Sequence, residues 1–188
     1  MVDFNKVMEN VWLVEHGNLP EKVLHHNKKE DTYTFYGIYP YTKLKSHKII
    51  TDIIEVTQST KEASVLLASM DDLYQEVLDF YRKNFFNKLG LQYLTSTRKA
   101  SELMVFFVNV GTSKYRVGLA VKYVQSIIGA KVDGIVGVET LTKINNFPDD
   151  KFDKLFDEFE VKFYKGLVAR NRRLGWALKG WINRAFIV

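Results

Sequence analysis

DFNKVMENVWLVEHGNLP, residues 3–20, is a run in which apolar side chains return every three or four positions. Phe4, Val7, Met8, Val11 and Val14 hold that spacing, so residues 3–16 are expected to form an amphipathic helix. Gly17 and Pro20 stop it. The last turn carries one acid, Glu15. Many helices end on a solvated carboxylate. Here two influences bear on the acid: the partial negative charge of the helix C-terminus, and an aromatic neighbourhood supplied by Trp12 and the tyrosines of 33–41. Both disfavour the ionised form, so Glu15 is expected to keep its proton more readily than an ordinary glutamate. That is the property of a general acid.

Beyond Pro20 the signals change. Residues 21–31 are polar and charged and are expected to form a loop. TYTFYGIYPY, residues 32–41, is dense in Tyr, Thr and Phe, with Gly37 and Pro40 as punctuation, which favours an extended or hairpin segment. From 49 to 94 the pattern is helical. One helix begins with Ile53, Ile54 and Val56, and a second runs through Leu73, Val77, Leu78, Tyr81 and Phe85 to end on the glycine of RKNFFNKLG, residues 82–90. Residues 103–110 are an apolar segment of helical length closed by Gly111, and 114–128 form another helix. Asp133-Gly134 marks a turn, a short helix starts within 140–144, and Pro148 opens the last long one. On that helix Phe152, Leu155, Phe156, Phe159 and Phe163 form one apolar face. The expected fold class is therefore mainly α, with a small extended or hairpin element.

The 188 residues suffice for a sizeable core, in one domain or two lobes. Apolar residues make up 46% and aromatics 14%, a composition that folds. The absence of cysteine excludes disulfide and thiolate chemistry. No stretch approaches the ~20 apolar residues of a membrane span. Asp3 and Glu9 lie inside the first helical pattern and no small-residue cleavage site follows, so the N-terminus does not read as a signal peptide. Synthesis in the cytoplasm is the expectation. The net charge of +5 suits a polyanionic partner without choosing among nucleic acid, an acidic membrane face and a wall polymer.

Four constellations could carry chemistry. Glu15 is the first. The second is HHNKKEDTYTFYGI, residues 25–38, where Glu30, Asp31 and Thr34 sit close in sequence. A glycosidase that inverts needs a second carboxylate across the sugar with room for a water, and Glu30 or Asp31 could hold that water with the Thr34 hydroxyl. His25 and His26 could join either acid at a metal, but structural zinc wants three or four convergent ligands and the chain has four histidines in all, so no metal and no cofactor are expected. The third is AKVDGIVGVETL, residues 130–141, a tight turn feeding a helix that lacks the alternating acids of a calcium loop. The fourth is RNRRLGWALKGWINR, residues 170–184, where bases alternate with Trp176 and Trp181. Such interleaving could bind single-stranded nucleic acid or stack on sugar rings; the favoured expectation is that both tryptophans are core and the bases line the outer face. No zinc-knuckle, RNP-like or helix-turn-helix signature supports nucleic acid. Residues 149–160 hold six acids and two lysines, whereas 161–188 hold seven Lys/Arg and no acid, an arrangement that complements a helix macrodipole.

Taken in order, these pieces resemble the glycoside hydrolase 108 family of phage and bacterial N-acetylmuramidases, with a peptidoglycan-binding region at the C-terminus. The resemblance rests on Glu15 and Gly17; on Thr34, Tyr36, Gly37 and Ile38; on the helix LYQEVLDFYRKNFFNKLG, residues 73–90; on Phe107, Asn109 and Gly111; on Asp133, Gly134, Gly137 and Thr140; and on residues 163–184. It spans nearly the whole chain. It implies a lysozyme-like α+β fold, with a catalytic region at 1–95 and a helical peptidoglycan-binding region at 96–188 packed into the same compact fold. It implies hydrolysis of the β-1,4 bond between N-acetylmuramic acid and N-acetylglucosamine in peptidoglycan, with Glu15 as the catalytic acid and Thr34 in the cleft wall. Tyr33, Tyr36 and Asn109 are the candidate sugar contacts. The family's Glu-Gly-Gly is Glu15-His16-Gly17 here, and the loop to Thr34 is longer and lacks Asp-Pro-Gly-Gly. The second acid is therefore not carried over, and Glu30 and Asp31 stand as candidates beside a one-carboxyl lytic transglycosylase and a non-catalytic wall-binding protein. An enzyme made in a host cytoplasm that acts on the periplasmic wall would need a separate membrane-permeabilising partner.

Overall fold

The computed structural model describes residues 1–27 and 31–187. It is mainly helical with one small antiparallel hairpin. Chain contacts divide it into two compact units, Met1–Val14 with Asn84–Val188, and Glu15–Lys83.

In the larger unit the first helix, α1 (Phe4–His16), buries Phe4, Val7, Met8, Val11 and Trp12, the face expected from its spacing. The central element is α6 (Thr97–Val110), N-capped by Ser96, whose hydroxyl accepts from Lys99 N. Every side chain from Lys99 to Phe107 is buried, and residues 103–108 read as a continuous apolar run. Asn10 Nδ2 of α1 donates to Ser101 Oγ at 2.9 Å. Against α6 lies α9 (Asp149–Arg170), whose Phe156, Phe159 and Phe163 each meet the Phe106 ring with centroids 5.3–5.6 Å apart. α7 (Lys114–Ile128) stacks Tyr123 on Phe159 at 4.4 Å. α8 (Val138–Asn146) follows the Asp133-Gly134 turn. Lys99, 1% exposed, donates from Nζ to Ile144 O at 2.7 Å and to Phe147 O, and pairs with Asp149 at 2.9 Å. It therefore caps the C-terminus of α8 and neutralises the first turn of α9.

The chain after α9 does not continue as one helix. A 3₁₀ segment, Arg172–Ala177, precedes α10 (Leu178–Ala185). Trp181 stacks on Tyr164 at 5.4 Å, but Trp176 is 85% exposed. The expectation of two core tryptophans is thus corrected for Trp176, because the 3₁₀ turn rotates it off the packed face.

In the smaller unit, β1 (Leu24–Asn27) pairs with β2 (Thr32–Phe35) in the register Leu24↔Phe35 to Asn27↔Thr32. Residues 24–27 were expected in a loop. They form a strand because β2 supplies the partner edge and Ser64 anchors the entry, its hydroxyl accepting from Leu24 N at 3.0 Å and donating to Pro20 O at 2.6 Å. A short turn of helix, α2 (Pro40–Lys43), leads to α3 (His47–Val56), α4 (Thr60–Ala68) and α5 (Asp71–Tyr81). Glu76 of α5 accepts from the backbone N–H groups of Lys45 and Ser46, so its carboxylate caps the start of α3. Among the described residues no helix is long and apolar enough to cross a membrane.

Candidate functional site

Glu15 is exposed in the last turn of α1. The helix cannot run on, because Gly17 (φ 65°) and Asn18 (φ 57°) both take left-handed backbone, the conformation that closes helices. Leu19 N then donates to His16 O at 3.2 Å.

A second tight turn explains the Tyr-Gly-Ile part of the motif. Phe35 and Ile38 exchange both backbone hydrogen bonds, at 2.8 and 2.9 Å, around Tyr36 (φ 47°) and Gly37 (φ 74°). Two positive φ values inside a two-residue loop are the type I′ geometry that matches strand twist. Gly37 suits it; a tyrosine at positive φ is uncommon and is held there by its surroundings. Tyr36 N donates to Val23 O at 2.7 Å, and the Tyr81 hydroxyl donates to Tyr36 O at 2.7 Å. A Cβ on Gly37 would lie 3.3 Å from the Tyr81 oxygen, so the glycine also makes room for this bond.

These groups gather at the Glu15 end of α1. The His16 ring meets Tyr36 edge to face at 5.3 Å, and Tyr36 lies 5.6 Å from Tyr74. Burial, and then the negative charge of Glu15, push the Tyr81 phenol well above its ordinary value. Burial, and then Tyr74, raise Tyr36 to about 12. Burial, and then the charge of Lys22, hold His16 below the usual imidazole value. At neutral pH the exposed carboxyl therefore has protonated phenols and a neutral imidazole for neighbours. Tyr74 and Tyr81 were not singled out as site residues. Their signal was present, since residues seven apart share a helix face.

Thr34 is half-buried in β2 opposite His25. Strand alternation puts Tyr33 and Phe35 on the opposite face from Thr34. There His26 stacks on Tyr33 at 4.4 Å, and Asp31 Oδ1 lies 2.9 Å from His26 Nε2. Asp31 is thus drawn to His26. Glu30 lies outside the described residues. Asn109 belongs to the larger unit, where its amide donates to the Tyr164 hydroxyl at 2.9 Å and that hydroxyl donates to Glu160 Oε1 at 3.3 Å.

The Asp133, Gly134 and Thr140 motif is built around Gln125, 1% exposed. Its Oε1 accepts from Asp133 N and Gly134 N, and its Nε2 donates to Asp133 Oδ1, Ile135 O and Thr140 Oγ1 at 2.9–3.1 Å. In this structure the motif fixes a loop. The larger unit also buries acids that sequence patterning missed. Burial first, then a hydrogen bond with Asp153, raise Glu102 to about 10. Burial and Asp153 raise Asp157 to about 7, and burial and Asp157 raise Glu160 to about 8.

No family model matches the chain, and no curated relative matches it in sequence. Its fold is similar to that of Brucella abortus SagA, with a TM-score of 0.56 and 20% identity over 97% of this chain and 92% of that one. At that identity the likeness concerns the fold.

Proposed function

We propose that the chain is a peptidoglycan hydrolase, a muramidase of the glycoside hydrolase 108 kind, with Glu15 as its general acid. The observation that carries the reading is the gathering of separate motif residues, Tyr36, Gly37 and Tyr81, at the end of α1 that presents Glu15. In the mechanism, the Glu15 carboxyl donates its proton to the oxygen of the β-1,4 bond as that bond breaks, and positive charge develops on the muramic acid ring. A second group must then direct water or shield that charge. Thr34, Glu30 and Asp31 are the proposed groups, with Tyr33, Tyr36 and Asn109 as sugar contacts.

The Asp31–His26 contact favours a second reading, because it turns one candidate carboxylate to another task. In that reading a hydroxyl of the muramic acid itself attacks, and one catalytic carboxyl suffices. The enzyme is then a lytic transglycosylase that leaves anhydromuramic ends. In either case the basic run at 161–188 assists adsorption to an anionic wall. In this proposal the protein is made in the host cytoplasm and acts on the periplasmic wall once a separate partner has permeabilised the membrane. The test is incubation with purified sacculi: release of soluble muropeptides is expected, reducing ends select the hydrolase, and anhydro ends select the transglycosylase. Binding without any soluble product would contradict both.

A further inference from the structure

Where α6 and α9 pack, three carboxylates converge. Glu102 on α6 is 2% exposed. Asp153 and Asp157 lie four residues apart on α9, and hence on one face. One oxygen from each of the three lies within 4.8 Å of the others. Among the described residues, the individual atoms Glu102 Oε1 and Asp157 Oδ1 are buried with no hydrogen-bond partner, although the Glu102 carboxyl as a whole meets Asp153, and Asp157 as a whole is 9% exposed. Buried oxygens of this kind are costly and rare unless something satisfies them. The nearby guanidinium does not, since Arg98 spends Nη1 on Asp150 and Nη2 on Asp153 Oδ2, each at 2.6 Å.

We propose that Glu102, Asp153 and Asp157 form a binding site for a hard divalent cation, calcium in preference to magnesium, that braces α6 against α9. The donors are all carboxylate oxygens, with no nitrogen or sulfur, which suits calcium, magnesium or manganese rather than zinc or copper. Oxygens up to 4.8 Å apart can share a cation that bonds each at about 2.3–2.6 Å, the calcium range, whereas magnesium demands a tighter octahedron at about 2.0–2.1 Å. The cation's two positive charges offset most of the charge of the three carboxylates, and Arg98, shared with Asp150, offsets part of the rest. Water completes the coordination shell on the side where Asp153 reaches solvent. The site belongs to the larger unit and does not rest on the hydrolase reading. Here the ligands come from two helices some fifty residues apart, so no local spacing announces them.

The full chain, stripped with a chelator and exchanged into metal-free buffer near neutral pH, is titrated with calcium chloride by calorimetry, and its thermal unfolding is followed with and without calcium. Saturable binding of one ion per chain is expected, with a rise in Tm and weaker binding of magnesium. Glu102→Gln keeps the shape of the side chain and should weaken calcium binding at least about tenfold. Asp153→Asn, on the more open side of the site, should weaken it too and stands in if the first variant does not fold. No saturable binding and no Tm shift up to about 10 mM calcium would overturn the site, as would binding that survives undiminished in both variants.

Discussion

At the scale of single residues, the candidate site depends on groups that hold one another in place. The Tyr81 hydroxyl satisfies the carbonyl of Tyr36, a residue kept at φ 47°. Tyr81→Phe leaves that carbonyl without its donor and is expected to cost about 1–2 kcal/mol in denaturant unfolding. His16 makes a second prediction. Its imidazole is held below the ordinary 6.5 by burial and by Lys22. Below that pH the unfolded chain takes the proton before the folded one does, so the contribution of the neutral ring to stability falls as pH drops from about 6.5. NMR titration should find the His16 ring still neutral in mildly acidic solution; an ordinary titration curve would contradict the packing against Tyr36. Glu15, Gly17 and Gly37 were legible in the sequence because helix ends and tight turns announce themselves through glycine and charge. The His26–Asp31 contact was not, because it depends on a strand register that no local pattern encodes.

At the scale of elements, legibility followed periodicity. The helices at 4–16 and 114–128 show their apolar spacing openly, whereas α6 shows only 103–110, as an apolar run. α4 does not, because Ser64 is fully buried while Val65 and Leu66 face solvent, which inverts the pattern a reader relies on. β1 is hidden for a different reason: His25, His26 and Asn27 have little strand preference of their own and are recruited by β2. α9 was read as an apolar face with dipole-complementing acids, yet Asp157 and Glu160 are inside. The joint between α6, α8 and α9 yields the prediction at this scale. Lys99→Met removes the donor to Ile144 O and Phe147 O and leaves Asp149 without its buried partner. A loss of about 2–4 kcal/mol is expected in denaturant unfolding. A loss below about 0.5 kcal/mol would mean that water replaces the ammonium at no cost.

At the scale of the whole molecule, the charge distribution yields a prediction for the proposed wall partner. A chain of net charge +5, whose last 28 residues carry seven Lys/Arg and no acid, should adsorb to purified sacculi in a salt-dependent way. Retention is expected to fall steeply as sodium chloride rises from about 0.05 to 0.5 M, where the screening length shrinks from more than about 10 Å to a few ångströms. Retention that ignores salt would assign adsorption to apolar contacts, with the exposed Trp176 foremost. The central claim remains chemical: the carboxyl at the end of α1 breaks the glycan. It is tested most directly by mass analysis of muropeptides released from purified sacculi by the wild type and by Glu15→Gln, with circular dichroism showing that both are folded. The account predicts muramic ends from the wild type and none from the variant. Equal product from both would contradict it.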